Sequence, residues 1–554
     1  MANYYKDNND IEFYLKNYDL SELVSLYENN YKEEKEYDFA PDSYEEAIQN
    51  YDLALDVAGK IAGDVIAENA DSVDEEGAQF DRGTVTYAKG TQINLEMIMK
   101  SGLNGVTLPR KYEGLNFPVT IYAMMVEIVS RADGSFMNLF GLQDIGETIS
   151  EFGSEEQKKK YCTMFAKGDV TGAMILTEPD AGSDLQSVRT KAVWDEKDQC
   201  YRIYGVKRFI TNGNAEVSLI LARSEEHTTD ARGLSMFIIE KDDTIKVRRI
   251  EDKLGIHGSP TCELEYHGTK AELVGKKGLG LIKYVMALMN GARLGVAAQA
   301  LGISEEAYRE AYAYANEREQ FGKTIINFTM VRRMLDDMKM ELDAMRALLY
   351  NTSLSIDHKK MYNEEYKKTG DKDIRNLAKK YEKRAGFLTA LSKFYLTEMG
   401  NKICYDAVQI HGGTGYMRDF KVQRLSRDIR ITSIYEGTTQ LQVVAAIGSI
   451  TSGRFFDLLI DELENAERGI ISKLNELKVF VNDYEELIKQ LKEEKNAGRK
   501  DYYEYDLVEI ASILLISAYL LKNAKYSEDK VKIAERYIHE RLPKVRYLMD
   551  RIMQ

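Results

Sequence analysis

No proline occurs between Pro260 and Pro543. Proline inside a helix removes a hydrogen bond and clashes with the preceding turn, so a stretch of that length suits long uninterrupted helices. Apolar residues recur at helical spacing from Leu281 to Ser449, and again from Phe455 to Gln554, where Tyr484, Leu487, Ile488 and Leu491 form one stripe. Upstream the pattern changes. After Thr171 come short segments rich in β-branched and aromatic residues (KAVW, CYRIYGV, VSLILAR, LSMFIIE, IKVRRI, TCELEYH), separated by turn-like DEKD, NGN and KDD. They predict a β-domain of about 110 residues. From Asp19 to Lys167 the spacing is mostly helical, with Leu20, Leu23, Val24 and Tyr27 on one face. The expected order is helices, sheet, helices.

A chain of 554 residues is several times the usual domain size. The expected divisions are an N-terminal extension (1–40), an N-terminal helical domain (41–170), a middle β-domain (171–280), a helical bundle (281–450) and an additional helical domain (455–554). The net charge of -15 argues against nucleic acid or an anionic membrane as the default partner, because both reward a basic surface. Residues 455–554 carry 17 basic against 20 acidic residues, so their stripe reads as core or interface. The four cysteines, Cys162, Cys200, Cys262 and Cys404, form no CxxC pair, which points to a reducing compartment rather than a disulfide framework. The opening MANYYKDNNDIEF lacks a basic n-region and an apolar h-region, so no signal peptide is expected and a cytoplasmic location follows. The longest apolar run, Ile510 to Leu521, is shorter than the roughly 20 residues of a membrane helix and reads as a buried helix. The charged patch KEEKNAGRK reads as a solvated loop.

Several familiar chemistries find no support. The sequence contains no GxxxxGK[ST], no GxGxxG between strand and helix, no GxSxG, and no HExxH or comparable ligand spacing among its six histidines. No metal ligands are assigned. What remains is a set of Gly, Ser and Thr clusters beside a carboxylate or arginine. LTEPDAGSDL (Leu176 to Leu185) builds a turn on Pro179 and Gly182 and offers backbone N–H groups with the Thr177 and Ser183 hydroxyls to a polar ligand. QIHGGTGY (Gln409 to Tyr416) allows close backbone approach. IYEGTTQ (Ile434 to Gln440) places one carboxylate, Glu436, in a mostly uncharged stretch. An apolar neighbourhood raises a carboxyl pKa and suits a general base, although a surface glutamate is the commoner case.

Together and in order, LPRKYEGLNFP, FGSEEQKKKY, LTEPDAGSDL, RFITNG, GSPTCEL, MNGARLGVAAQALG, EREQFGK, QIHGGTGY and DIRITSIYEGTTQLQ resemble the acyl-CoA dehydrogenase family from about Leu108 to Ile450. The resemblance implies an α+β multidomain fold: an N-terminal α-helical domain, a middle β-barrel-like domain and a C-terminal four-helix bundle, here with an additional C-terminal helical domain. It implies FAD as cofactor and α,β-dehydrogenation of an acyl-CoA thioester to a trans-2-enoyl-CoA in fatty acid or related metabolism. By position, Glu436 resembles the family's catalytic base; where some relatives carry a base before the arginine of MNGAR, this chain has Ala292. Met174, Leu176, Thr177, Gly182, Ser183, Phe209 and Thr211 resemble residues lining the flavin. Arg318, Phe321, Gln409, Gly412 and Gly413 resemble groups that hold FAD from a neighbouring subunit, and Thr438 and Gln440 resemble those at its adenosine end. Asn290 and Arg293 resemble CoA-side contacts, and the resemblance further implies that Ser183 touches substrate and that Gly437 lies beside the thioester.

Three positions depart from the family pattern: Phe328 and Thr329 stand where His-Gln is frequent, Gly448 where some relatives carry an arginine for CoA, and Phe209 where many carry tryptophan. The resemblance further implies an electron-transfer flavoprotein as acceptor. A homodimer is expected, because in long relatives an added helical domain covers the surface a second dimer would use. An acyl-CoA oxidase and a flavin-bearing DNA-binding protein of the alkylation-response type stand as alternatives, the second opposed by the acidic C-terminal region.

Overall fold

The computed structural model describes residues 2–225, 227–466, 470–493 and 497–554. The chain forms two compact units, one of residues 1–12 and 24–295, the other of residues 13–23 and 296–554.

The first unit is built around a sheet. A small hairpin, β1 (Gln79–Asp81) with β2 (Thr84–Thr86), precedes seven strands: β3 (Gly172–Ile175), β4 (Lys191–Asp195), β5 (Cys200–Thr211), β6 (Val217–Arg223), β7 (Leu234–Glu240), β8 (Ile245–Ile250) and β9 (Thr261–Leu273). Strands β6, β4, β5, β9 and β7 pair in that order and β7 returns to β6, closing a ring; β3 joins β6 in parallel and β8 pairs with β9. The barrel-like expectation is met. Strand β6 reads as a continuous apolar run because both its faces are covered. Leu219 and Leu221 pack with Ile145, Ile149 and Phe165 from the surrounding helices, whereas Ile220 and Ala222 pack with Ile203, Phe237 and Leu264. Helix α1 (Val119–Ala132) is buried along its whole length. The N-terminal segment is tied to it: the Arg131 guanidinium lies over the Tyr4 ring at 3.7 Å and donates to Asp7 at 2.5 Å. Arg110 donates twice to Glu28, at 2.6 and 3.0 Å, in a fully buried pair.

His257, in the segment leading into β9, has Nδ1 at 2.9 Å from the Asp74 carboxylate and Nε2 at 2.8 Å from the Lys253 carbonyl. Both ring nitrogens therefore face acceptors, an arrangement only the imidazolium satisfies. The hydrogen bond to Asp74 lifts its pKa to about 9, against the opposing effect of burial. The folded value exceeds the unfolded one, so this contribution is complete below about pH 6.5 and is lost as pH rises through 9. Allowing for the ring's partial exposure it amounts to about 1–2 kcal/mol. Melting curves between pH 6 and 10 should show this loss in the parent protein and its absence in His257→Gln; equal pH dependence in both contradicts the assignment.

The second unit is helical. Helix α2 (Met286–Glu317) crosses the division between units, and α3 (Thr329–Thr369) and α4 (Lys372–His411) form a long pair of 41 and 40 residues. Their joint is Gly370, at φ 67°, followed by Asp371, whose carboxylate caps the N–H groups of Asp373 and Ile374. Glu305 of α2 pairs with the buried Arg346 of α3 at 2.6 Å. A side chain at Gly400 of α4 would collide with Ser304 of α2, so glycine there permits close helix approach. With α5 (Thr439–Thr451), which packs on α4, these make the four-helix bundle. Among the described residues further helices follow, the longer ones being α6 (Arg454–Asn465), α7 (Ile471–Glu493), α8 (Glu504–Asn523) and α9 (Glu528–Met553), with the short helix Ala497–Tyr502 between α7 and α8. The apolar run Ile510 to Leu521 lies in α8, buried against α3, α5, α6, α7 and α9, as its all-round apolarity predicts. Residues 13–23 knit into this unit: Asn351 Nδ2 donates to the Tyr18 hydroxyl at 2.8 Å and Asn523 Nδ2 to the Tyr14 hydroxyl at 3.0 Å. Of the expected loop KEEKNAGRK, residues 494–496 lie outside the described residues, and its flanks are the end of α7 and the helix Ala497–Tyr502. Among the described residues no single helix is long and apolar enough to cross a membrane.

Candidate active site

In the first unit the segment after β3 is held from behind by two consecutive residues of β5. Lys207, fully buried, donates from Nζ to the Leu176 carbonyl at 2.8 Å and pairs with Glu178 at 3.0 Å. The backbone N–H of Arg208 donates to the Thr177 carbonyl at 3.0 Å. Glu178 also accepts the N–H groups of Arg189 and Thr190 at 2.8 and 2.9 Å. Burial lowers the Lys207 ammonium to about 8, partly countered by Glu178. Burial alone would raise the Glu178 carboxyl, but Lys207 and the donated hydrogen bonds outweigh it and the net shift is downward. Residues 178 and 181 bond reciprocally across Pro179 and Asp180, and Gly182 and Ser183 emerge exposed.

One residue past this clamp, β5 bulges. Phe209 takes φ 61° and leaves its ring 52% exposed beneath the Arg208 guanidinium, 4.6 Å from the ring centre. Met174, Thr177 and Thr211 are partly exposed, while the Leu176 side chain is buried in the core, leaving only its backbone for a ligand. Asn290 and Arg293 face each other one turn apart on α2, with Nη1 donating to Asn290 Oδ1 at 3.2 Å, and Arg293 is buried.

In the second unit Glu436 follows a 3₁₀ turn (Arg430–Ser433) and precedes α5. Glu436 and Gly437 adopt φ 54° and 90°. A left-handed non-glycine residue costs on the order of 1–3 kcal/mol and persists only where its surroundings enforce it. Those surroundings are visible. The Tyr435 hydroxyl donates to Gln299, Gln442 Nε2 donates to the Gly437 carbonyl at 2.8 Å, Thr438 caps α5 through the Leu441 N–H, and the Thr439 hydroxyl donates to Glu398 of α4 at 2.6 Å. Burial, then the charge of Glu436, raises the Tyr435 phenol, so that hydroxyl remains a donor. Glu436 is half-buried and Gln440 exposed.

Arg318 and Phe321 belong to a hairpin, β10 (Glu319–Gln320) and β11 (Lys323–Thr324), whose two turn residues, Phe321 and Gly322, both have positive φ. That geometry gives the tight turn matching strand twist, and it leaves the Phe321 ring 94% exposed. Gln409 is exposed near the end of α4, and the space beside Gly412 and Gly413 is open: a Cβ at either would meet no atom within 4 Å. Tyr314 of α2 stacks on His411 at 4.3 Å, which brings the approach to the hairpin and the glycine turn to one end of the bundle. From Glu398 to Gln409 along α4 the rise is about 16 Å, so the predicted residues of this unit form two groups, one around Glu436 and one around Gly412.

Three family models match in succession: the acyl-CoA dehydrogenase N-terminal domain over residues 50–169, the middle domain over 173–269 and the C-terminal domain over 280–447. An acyl-CoA dehydrogenase of Bacillus subtilis is 37% identical over 349 residues, covering 62% of this chain and 85% of its own length. The chain belongs to the acyl-CoA dehydrogenase family. Members of the family are FAD-dependent oxidoreductases acting on a CH–CH bond. The 3-methylmercaptopropionyl-CoA dehydrogenase of Ruegeria pomeroyi is 33% identical over 470 residues, 77% of each chain. A solved structure of an acyl-CoA dehydrogenase complexed with FAD from Bacillus anthracis is 22% identical and shares the fold, with a TM-score of 0.77 over 91% of this chain and 88% of its own. In this acyl-CoA dehydrogenase the polar groups that sequence reasoning missed are buried supports: Lys207, Glu178, Gln299, Gln442 and Lys393. A single lysine in the apolar stretch from Leu388 to Leu396 was a signal that could have found the last of these.

Proposed function

We propose that this acyl-CoA dehydrogenase converts an acyl-CoA thioester to its trans-2-enoyl-CoA, with Glu436 taking the α-proton. The observation that carries the reading is the left-handed Glu436–Gly437 pair, a strained carboxylate-bearing turn held by hydrogen bonds from four directions. The α-carbon of a thioester is a weak acid, so the base needs help where charge develops. The Glu436 backbone N–H is proposed to donate to the thioester carbonyl, with Gly437 alongside and Ser183, Asn290 and Arg293 on the substrate side. When bound, FAD supplies the acceptor for the β-hydride.

The chain's own groups suit that cofactor. Phe209 presents an aromatic face beside the clamped backbone of Leu176 and Thr177, and Met174, Gly182, Ser183 and Thr211 are proposed to complete the flavin wall. Gly412 and Gly413 border open space, with Arg318, Phe321 and Gln409 near it. Their distance along α4 from the Glu436 group supports the reading that they serve the FAD of a second subunit, with Thr438 and Gln440 at an adenosine end. We therefore expect a homodimer, with light scattering giving the mass of two chains; four chains would contradict it. An electron-transfer flavoprotein is the proposed acceptor, and the cytoplasm the proposed location.

Two tests apply. Incubation with acyl-CoA and an artificial electron acceptor should yield a product two hydrogens lighter, and an unchanged thioester mass with every acyl group tried would defeat the reading. Gly413→Gln places its Cβ where no atom of the chain lies within 4 Å. It should leave the melting temperature unchanged in the FAD-stripped protein while weakening FAD binding by at least about tenfold, since the new group occupies space the dinucleotide needs. Undiminished FAD affinity would remove the glycine turn from the cofactor site.

A further inference from the structure

The turn that carries Glu436 does not hold its shape by itself, and the group that reaches both of its ends is a buried lysine of another helix. Lys393 lies in the middle of α4 with no exposed surface. Its Nζ donates to the Thr432 carbonyl at 3.0 Å and to the Gly437 carbonyl at 2.7 Å. These two carbonyls bracket Glu436: one lies within the 3₁₀ turn before it, the other follows it immediately. Removing an ammonium from water is costly and is tolerated only where hydrogen bonds compensate it, and here the compensating groups include both ends of the strained turn. Carbonyl bonds to a charged donor are shorter and stronger than neutral ones. Gln442 donates to the same Gly437 carbonyl at 2.8 Å, and Glu398, further along α4, receives the Thr439 hydroxyl.

We propose that Lys393 is a positioning residue for the reaction: by drawing the Thr432 and Gly437 carbonyls to one point it fixes the orientation of Glu436. It need not touch substrate or cofactor. The proposal rests on the reading of Glu436 as the base. Because orientation rather than affinity is at stake, losing Lys393 should slow the chemical step and leave acyl-CoA binding nearly intact.

The test compares Lys393→Met, Gln442→Met and Glu436→Gln in the full-length, FAD-loaded protein, using whichever of butyryl-, octanoyl- and palmitoyl-CoA reduces the parent's flavin fastest. Two quantities are read: the acyl-CoA dissociation constant, and the limiting rate of anaerobic flavin bleaching at saturation. A displaced catalytic group loses about 100-fold in rate. Lys393→Met should lose that much with a dissociation constant changed by less than about threefold, and Gln442→Met, which leaves Lys393 in place, about tenfold. A bleaching rate within about threefold of the parent for Lys393→Met, or a loss matched by an equal loss of acyl-CoA affinity, overturns the proposal. If Lys393→Met does not fold with FAD, Lys393→Gln, which keeps an amide donor without the charge, decides by the same criterion. Glu436→Gln separates the two claims. Parent-like bleaching in that variant defeats the base assignment, whereas a silent Glu436→Gln beside a parent-like Lys393→Met defeats only the role of Lys393.

Discussion

Glu436→Gln should bind FAD and acyl-CoA as the parent does and leave the flavin oxidised. The substitution keeps the size and hydrogen-bonding capacity of the side chain and removes its ability to take a proton. Glu436 is half-buried and the substitution preserves its shape, so folding should be unaffected. A positioned general base contributes about 10²–10⁴-fold to a proton transfer, and stopped-flow bleaching of the flavin should fall by at least that factor. Near-normal bleaching would require another base, and the sequence offers none before Arg293, where Ala292 stands.

The second large effect concerns stability. Lys207→Met should leave Glu178 buried beside a methionine, with two backbone N–H groups still donating to it and no cation. Breaking one partner of a buried pair costs about 3–5 kcal/mol, and the cost here falls on the segment proposed to line the flavin, because the Leu176 carbonyl loses its donor too. Denaturation by urea should show the loss, with weakened FAD retention. The double variant Lys207→Met with Glu178→Gln should recover part of it, since no uncompensated charge is left buried. A single variant within about 1 kcal/mol of the parent would mean that the pair behaves like a surface ion pair.

The order of elements was legible because each level of the sequence agreed with the next. The proline-free stretch, the stripe of Tyr484, Leu487, Ile488 and Leu491, and the change to β-branched segments after Thr171 all report local geometry, and local geometry is what periodicity encodes. The closure of the sheet was not legible. It depends on β7 returning to β6 and on a single bridge between Lys191 and Arg223, pairings that leave no mark on either strand. Nor was the division of the N-terminal segment between two units, because Tyr14 and Tyr18 find their partners at Asn351 and Asn523, hundreds of positions away. At the candidate site the carboxylate was legible and its support was not. Gly437 announces a turn, but nothing near it in sequence announces that a lysine of α4 reaches across to hold it. Buried polar groups are found by asking which apolar stretch tolerates a charge; Lys393 answers to that question, whereas Lys207 stands beside Arg208 and does not.

The most direct measurement is the visible spectrum of the FAD-loaded protein under anaerobic conditions during titration with butyryl-, octanoyl- and palmitoyl-CoA. Bleaching of the oxidised flavin band by at least one of them, with the matching enoyl-CoA recovered, is the predicted result. A flavin that stays oxidised through all three titrations, while acyl-CoA binding is detected independently, would contradict Glu436-driven dehydrogenation of a straight-chain acyl-CoA.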